Sequence, residues 1–470
     1  MHTPRFLAVS AMSVAAIAAF VAAQPHAQAP AAGAVPTFSQ DVAPILYKHC
    51  TNCHRPGEIA PMSLLTYAEA RPWARSIGSQ VSRGAMPPWH ADPAHGEFLN
   101  DRRLSAADKS TIIAWANGGA PEGDPAAAPA APAYESGWNI GRPDEVFEMQ
   151  EDYPVPAEGT IAYKYFEIPT RLTEDKWVQS IEVKAGNPAV VHHVIVYART
   201  PRTAPPAAVA APAGAQPSAQ PAARRVPLFT FPEGSIEVPA GQTGGPDLPP
   251  EQRVANDRPA PQRLGSTIGG FAPGQTLRVY QPGTAMRLAA GSTLIFQMHY
   301  TASGKATTDR TRIAVTYAKE KPTTEVRFVA LVKGTLHIPA GAANYKVEQE
   351  MTINRDVTLW SMLPHTHLRG KRWEYEAIYP DGRTETILSV PKYDFNWQTD
   401  YVFKQPLKLP KGTRIHAAAW YDNSSNNPSN PDSTKDVWWG DQTWEEMMFT
   451  GLTYSADAAP PTATAPAPKR

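Results

Sequence analysis

A short run near the N-terminus has the spacing of a covalent cofactor attachment site. It reads Cys50-Thr51-Asn52-Cys53-His54. In a Cys-x-x-Cys-His motif two thioether bonds tether a haem, and the adjacent histidine becomes an axial ligand of the iron. The motif therefore predicts a c-type haem held by Cys50, Cys53 and His54.

Two other kinds of site use closely spaced cysteines, and the sequence argues against both. A zinc site needs further ligands with matching spacing, but the chain has only 2 cysteines. A redox-active dithiol is expected within a βαβ pattern, which does not surround this motif. For the sixth haem ligand we favour Met86, which lies in a proline-flanked loop. The sequence leaves Met62, His90 and His95 open as alternatives.

Histidines also cluster in segments that are typical of β-strands. His365 and His367 are two residues apart, so on a strand their side chains share one face and can bind one metal ion. His192 and His193 would point to opposite faces of a regular strand, so sharing a metal there requires a twist or a β-bulge. A further histidine, His299, precedes Tyr300 in a third such segment. Because imidazole is a common ligand of transition metals, the three clusters together predict a metal centre.

Two kinds of element must position these residues. From Phe38 to about Pro121 the pattern is helical, and Ser105 is a candidate N-cap for a last helix that Gly118 ends. After Trp138, short runs of β-branched and aromatic residues recur between Pro/Gly turns, which is the spacing of antiparallel β-sandwiches. Examples of these runs are Thr293 to Tyr300, Tyr345 to Ile353 and Arg414 to Tyr421.

Charge and the N-terminus narrow the class of protein. Lys plus Arg and Asp plus Glu each number 44, so no excess basic charge is available to neutralise nucleic-acid phosphates. Residues 1–29 have a positive start at Arg5, an Ala-rich apolar run and a small-x-small site at Ala27-Gln28-Ala29, as signal peptides do. No later segment is apolar enough to span a bilayer. We expect an exported protein, periplasmic or secreted, with no membrane span in its mature chain.

In their order and spacing, the histidine motifs and a late Glu-Met pair resemble the copper type II, ascorbate-dependent monooxygenases. That family includes peptidylglycine α-hydroxylating monooxygenase and dopamine β-monooxygenase, and the resemblance spans roughly residues 138–455. A soft thioether favours Cu(I), whereas imidazole serves both copper oxidation states. The resemblance implies an electron-transfer copper on His192, His193 and His299, and an oxygen-activating copper on His365, His367 and Met447, with Met448 as the adjacent alternative to Met447.

The resemblance also implies an activity, but the sequence departs from the family in two respects. The expected enzyme hydroxylates a C–H bond of a small organic substrate with O2 and takes electrons from ascorbate, another donor or a redox donor protein. Family members are disulfide-rich, but this chain has no cysteine outside the haem motif. The peptide-amidating member has an arginine two residues before its His-x-His motif, where this chain has Leu363, so peptide amidation is not expected. A non-catalytic haem/copper electron-transfer or copper-binding protein is the alternative function.

The predicted fold is multidomain: a small all-α cytochrome c domain followed by two antiparallel β-sandwich, jelly-roll-like copper subdomains. We expect the 122–134 segment to be a flexible tether through which the haem domain supplies the three-histidine copper with electrons. His337 and His416 are interpreted as structural or as neighbours of metal ligands, and 422–430 as a polar surface loop. The predicted segments are a signal peptide at 1–29, the haem domain at 37–121, a Pro/Ala linker at 122–137, one sandwich at 138–320 with a disordered insert at 201–224, a second sandwich at 321–457 and a disordered tail at 458–470.

Overall fold

The computed structural model describes most of the chain after the predicted signal peptide. Described in full are residues 34–58, 60–134, 137–201, 227–231, 264–272 and 277–457, together with the backbone of two short strands at 242–243 and 254–255. The signal peptide predicted at 1–29, nearly all of the insert predicted at 201–224 and the tail predicted at 458–470 lie outside these residues.

The described chain is mostly β-sheet with a few short helices, which agrees with the β-sandwich part of the predicted fold. The predicted runs at 293–300, 345–353 and 414–421 are each a strand with those bounds. The strands in chain order are β1 Glu145–Glu148, β2 Tyr153–Val155, β3 Lys164–Pro169, β4 Lys176–Lys184, β5 Val191–Arg199, β6 Phe229–Thr230, β7 Gln242–Thr243, β8 Val254–Ala255, β9 Ser266–Phe271, β10 Leu277–Val279, β11 Thr284–Leu288, β12 Thr293–Tyr300, β13 Thr307–Asp309, β14 Arg312–Tyr317, β15 Thr324–Val332, β16 His337–Ile338, β17 Tyr345–Ile353, β18 Val357–His365, β19 Gly370–Ile378, β20 Thr384–Val390, β21 Tyr401–Leu409, β22 Arg414–Tyr421, β23 Val437–Trp438 and β24 Phe449–Ala456.

The helices whose bounds the structure describes lie before the first strand. The last of the longer helices begins after Ser105, whose hydroxyl accepts the Asp108 backbone N–H, and ends at Gly118, as the sequence predicts. None of the helices that the structure describes has the length and apolarity needed to cross a membrane. They are a π-helical turn at Phe38–Val42, α1 Ala43–His49, α2 Tyr67–Ala70, a 3₁₀ turn at Arg71–Trp73, α3 Ala74–Ser82, α4 Ala106–Asn117 and a 3₁₀ turn at Pro125–Ala127.

Each of the three regions has its own hydrophobic core. The helical core lies between residues 38 and 120. In the first β region, apolar side chains of β4 and β14 pack against those of β5 and β12, so two sheets face each other. In the second β region, the sheet β20-β19-β22-β17-β6 packs in the same way against β18, β21 and β24. Two stacked sheets in each β region are what alternating strands predict.

One sheet runs through both β regions. Its order is β1-β14-β4-β11-β15-β24-β18-β21, with β10 also paired to β4. Thr324 to Val326 of β15 pair in parallel with β11, and Arg327 to Val332 then pair antiparallel with β24. The β regions predicted as antiparallel therefore contain one parallel pair, between β11 and β15. The cause is the length of β15, which has one neighbour along its first third and another along the rest.

The helical region packs directly on the second β region. The backbone N–H groups of Asp92 and Leu99 donate to the carbonyls of Ser389 and Val402, at 2.9 and 2.8 Å. The ring of Trp89 meets that of Tyr401 edge-on, with centroids 5.1 Å apart. Because Trp89 and Tyr401 share one buried core, this segment belongs to the second region's interior.

The haem motif lies against the first β region and the predicted linker. Arg55 donates to the Asn139 side chain at 2.9 Å, and Lys184 of β4 donates to Glu58 at 2.7 Å. The hydroxyl groups of Thr51 and Tyr134 are hydrogen-bonded at 2.8 Å. These contacts set the orientation of the helical region, so the expectation that the 122–134 tether leaves it unfixed is corrected.

Candidate metal centre

The first histidine group is built on neighbouring strands β5 and β12. His193 lies opposite His299 and Val191 lies opposite Tyr300, so His192 is the extra residue of a β-bulge. The bulge that a shared metal requires is therefore present. It brings one ring nitrogen each of His192, His193 and His299 within 4.8 Å of one another.

The ring nitrogens of this first group face one another. The Nδ1 atoms of His192 and His193 lie 3.3 Å apart. The Nδ1 of His299 is buried and has no hydrogen-bond partner within the described chain. Burial, together with the neighbouring histidines, lowers the pKa of His299 to about 3, and burial lowers the pKa of His192 to about 4. All are neutral at neutral pH, and neutral imidazole is the form that binds metals.

The second histidine group lies where β18 ends, and its ring orientations are fixed by hydrogen bonds. His365 Nδ1 is 2.7 Å from Gln398 Oε1, and His367 Nδ1 is 3.1 Å from the Glu445 carbonyl oxygen. Gln398 Nε2 donates to the Phe395 carbonyl at 3.3 Å, which turns its amide oxygen toward His365. Because both partners are acceptors, each histidine donates from Nδ1 and keeps a lone pair on Nε2.

A buried carboxylate joins the second histidine group to the predicted methionine ligand. Glu446 is fully buried, and its Oε2 accepts the backbone N–H groups of His367 at 2.8 Å and Met447 at 3.3 Å. Its Oε1 accepts the backbone N–H of Arg369 at 2.6 Å. Burial raises the pKa of Glu446 to about 7 against these donors. One oxygen atom thus holds the backbones of His367 and Met447 side by side.

Strand register separates the two candidate methionines. His365 of β18 lies opposite Phe449 of β24. Continuing this register by two residues puts Met447 opposite His367, on the face that carries His365 and Phe449, because alternate residues share a face. Met448 then belongs to the other face. Both methionines are buried, but the register favours Met447.

One aromatic ring, that of Phe395, contacts both histidine groups. Phe395, in the loop between β20 and β21, stacks on His192 with centroids 4.9 Å apart and planes at 20°. The same ring lies 5.6 Å from that of His367 and 6.4 Å from that of His365. The five histidines therefore form one site, assembled from both β regions.

The first group is further enclosed by a tyrosine. The ring of Tyr163 lies 5.3 Å from His193 and 4.9 Å from His299. Its hydroxyl donates to the Asp441 carbonyl in the second β region at 2.7 Å. This contact ties the first group to the segment that leads to Glu445 and Glu446.

The predicted haem motif begins where α1 ends. Neither Cys50 nor Cys53 is in a disulfide, and His54 Nδ1 lies 3.3 Å from the Met62 carbonyl oxygen. Donation to that carbonyl would leave the lone pair of His54 Nε2 for a haem iron, so these residues fit a covalently attached haem. The Met86 backbone N–H donates to Gln80 near the end of α3. No hydrogen bond among the described residues joins Met86 to His54. The choice of Met86 as the sixth ligand of the haem iron therefore stays a prediction.

Other predicted residues lie outside the centre. His416 sits between Glu348 at 3.2 Å and Glu376 at 3.4 Å. His337 Nε2 lies 2.6 Å from Asp436 and its ring stacks on Trp438. Among the ring contacts of the described chain, none joins either histidine to the five of the centre.

The loop predicted as polar surface at 422–430 is partly interior. Asn423 is fully buried, and its Oδ1 accepts the Arg369 Nε–H at 2.8 Å. The prediction is wrong at Asn423 because its side chain is needed to satisfy Arg369, two residues beyond His367.

Sequence reasoning missed Phe395, Gln398 and Glu446. Phe395 and Gln398 come from a loop whose approach to the histidines depends on tertiary packing. Glu446 carried one usable signal, a carboxylate directly before the apolar run Met447-Met448-Phe449. A buried acid beside a predicted ligand points to a positioning role.

Comparisons with known proteins give little. No family model and no curated protein matches the chain. Among solved structures it is similar to the major capsid protein P2 of bacteriophage PM2, at TM-score 0.27 and 9% identity over 66% of this chain and 97% of that one. It is also similar to an allantoicase, at TM-score 0.17 and 8% identity over 58% and 81% of the two chains.

Proposed function

We propose that the chain is an exported copper-dependent monooxygenase that hydroxylates a C–H bond of an organic substrate with O2. Electrons pass to it through a haem c attached to Cys50, Cys53 and His54. The proposal includes a cytochrome-like helical domain, two copper-binding β-sandwiches and two copper ions. The observation that carries it is the convergence of two unequal ligand groups on one buried site.

The donor set of each group suits copper. His192, His193 and His299 offer three neutral imidazoles, which serve both Cu(I) and Cu(II). His365 and His367 offer two, and Met447 adds a thioether that favours Cu(I). When bound, the metal ions would supply one-electron redox steps and the activation of O2.

The residues of the chain perform the remaining tasks. Gln398 and the Glu445 carbonyl hold His365 and His367 in one tautomer. Glu446 fixes the backbone of His367 beside that of Met447. Phe395 and Tyr163 enclose the first group in aromatic surface, which limits the access of water to the ring nitrogens.

Oxygen uptake tests the activity. The copper-loaded protein, given a reductant and a panel of organic substrates, should consume O2 faster when its substrate is present. Two bound coppers without any substrate-stimulated uptake would favour the alternative, a non-catalytic electron-transfer or copper-binding protein.

The docked helical region supports a haem donor. Its Asn100 donates to the Asp400 carbonyl at 2.7 Å, at the end of the loop that carries Phe395 and Gln398. In stopped-flow, a pre-reduced haem should be oxidised when the copper sites turn over. A haem that stays reduced while ascorbate drives turnover would contradict internal delivery. So would unchanged turnover on a physiological donor in the Cys50→Ala, Cys53→Ala double variant.

A further inference from the structure

The ring of Phe395 contacts histidines of both groups. The ring of Tyr163 contacts those of His193 and His299, and both histidines are members of the first group. Phe449 touches His365, with centroids 6.1 Å apart, and so belongs to the second group alone. Of the ring contacts in the described residues, those of Phe395 are the ones that reach both groups.

The position of Phe395 is fixed from several sides. Its side chain is buried, 8% exposed. Its carbonyl accepts a hydrogen bond from Gln398, the residue that also holds His365. Two residues before Phe395, Tyr393 anchors the loop, because its hydroxyl donates to the Thr366 carbonyl at 2.9 Å. The loop therefore holds the ring against both groups at once.

Packed rings place the two groups in continuous contact. The ring of Phe395 stacks on that of His192, and it meets the rings of His367 and His365 at steeper angles of 67° and 54°. The Phe395 ring is itself buried, as are His193, His299 and His367. An electron that moves between the groups thus has a path through side chains in contact.

We propose that Phe395 is the bridge through which an electron passes between the two histidine groups, an inference that rests on the proposed function. With copper bound, one electron would leave the ion held by His192, His193 and His299, which would be oxidised by one unit. The ion held by His365, His367 and Met447 would gain that electron and be reduced by one unit. No bond forms or breaks, and a one-electron donor of the haem or ascorbate class re-reduces the first group.

Flash photolysis tests the bridge without any substrate. The whole protein is loaded with two equivalents of copper, reduced by one electron and exposed to CO, which binds Cu(I) and traps the electron where it binds. A flash releases CO, and the electron redistributes between the groups. The Cu(II) absorbance follows this redistribution, and copper content and Cu(II) dipolar coupling in the oxidised protein are measured for each variant.

The matched variants are Phe395→Leu, which removes the ring, and Phe449→Leu, which removes a ring that touches one group. We expect Phe395→Leu to lose the fast phase of redistribution with copper content and dipolar coupling unchanged. Phe449→Leu should keep that phase. A fast phase that persists in Phe395→Leu would overturn the inference.

A third variant, Phe395→Tyr, tests the bridge if the Phe395→Leu protein does not bind both copper ions. Phe395→Tyr keeps the ring and should keep the fast phase. Loss of the fast phase from a Phe395→Tyr protein with both copper ions bound would also contradict the bridge. Failure of the wild-type chain to bind copper, or to oxygenate anything, would instead contradict the proposed function. The two kinds of failure are therefore distinguishable.

Discussion

The two histidine groups differ in what holds their rings. In the second group each Nδ1 donates to a protein acceptor, Gln398 Oε1 for His365 and the Glu445 carbonyl for His367. In the first group two Nδ1 atoms face each other, and the Nδ1 of His299 has no partner in the described chain. The second group is organised before a metal arrives, whereas the first lacks a partner that a metal would provide.

This difference shows that one fold can build two unlike sites from histidine side chains. At His192 and His193, at the bulge, the two Nδ1 atoms face each other and would be available to a metal. At His365 and His367, where an oxygen acceptor already occupies Nδ1, the nitrogen available to a metal would be Nε2. Substitution of the protein acceptors should affect copper binding at the second group. Substitution of a histidine should affect copper binding at its own group and so distinguish the two groups.

The largest effect is expected from His193→Ala. The variant removes one of the three proposed ligands of the first group, so bound copper should fall from two equivalents to one, measured by elemental analysis and Cu(II) resonance spectra. His416→Ala, on a histidine held by two glutamates, is the matched control and should keep both. Loss of both coppers from His193→Ala would show that the groups are not independent.

Met447→Ala should abolish oxygenation while the first group keeps its copper, because the register of β18 and β24, continued two residues past His365 and Phe449, puts Met447 opposite His367. Met448→Ala should keep both coppers and lose about 2–5 kcal/mol of unfolding free energy, as buried methionines do. Copper content, O2 uptake and denaturant unfolding measure these outcomes. Retained activity in Met447→Ala, with Met448 essential instead, would reverse the assignment.

Gln398→Leu should act on the second group alone. Without its acceptor the His365 ring loses its fixed tautomer, and copper affinity there should fall about 10–100-fold. Competition with a Cu(I) chelator measures the affinity of each group. Gln398→Glu keeps an acceptor oxygen and should largely restore binding. An equal loss of affinity at the first group would contradict the separation.

Tyr163→Phe should have the smallest effect. It removes the hydrogen bond to the Asp441 carbonyl and should lower the unfolding free energy by about 1 kcal/mol. The ring that packs on His193 and His299 remains, so copper in the first group should be unchanged. Denaturant unfolding of the copper-loaded and metal-free protein gives both values.

Strand positions were predictable because alternation is a local signal. The bounds predicted for 293–300, 345–353 and 414–421 are those observed. The bulge at His192 was predictable as a requirement, since adjacent histidines cannot share a face of a regular strand. The cap at Ser105 followed from its own short segment.

Pairing between distant segments was not predictable in the same way. The parallel pairing of β11 with β15 and the approach of Phe395 to His192 join residues far apart in the chain. Single-sequence patterns record burial but not which buried surfaces meet. For the same reason, the packing of Trp89 on Tyr401 gave no signal.

The strand that serves both β regions has a consequence for folding. Because β15 pairs with β11 along one part and with β24 along the other, loss of either region deprives it of a neighbour. We therefore expect the regions to unfold in one cooperative transition, as a single foldon. A truncated gene ending near residue 320 would leave β11 as an uncovered edge, and such edges invite aggregation. The two β regions are therefore not independent folding units.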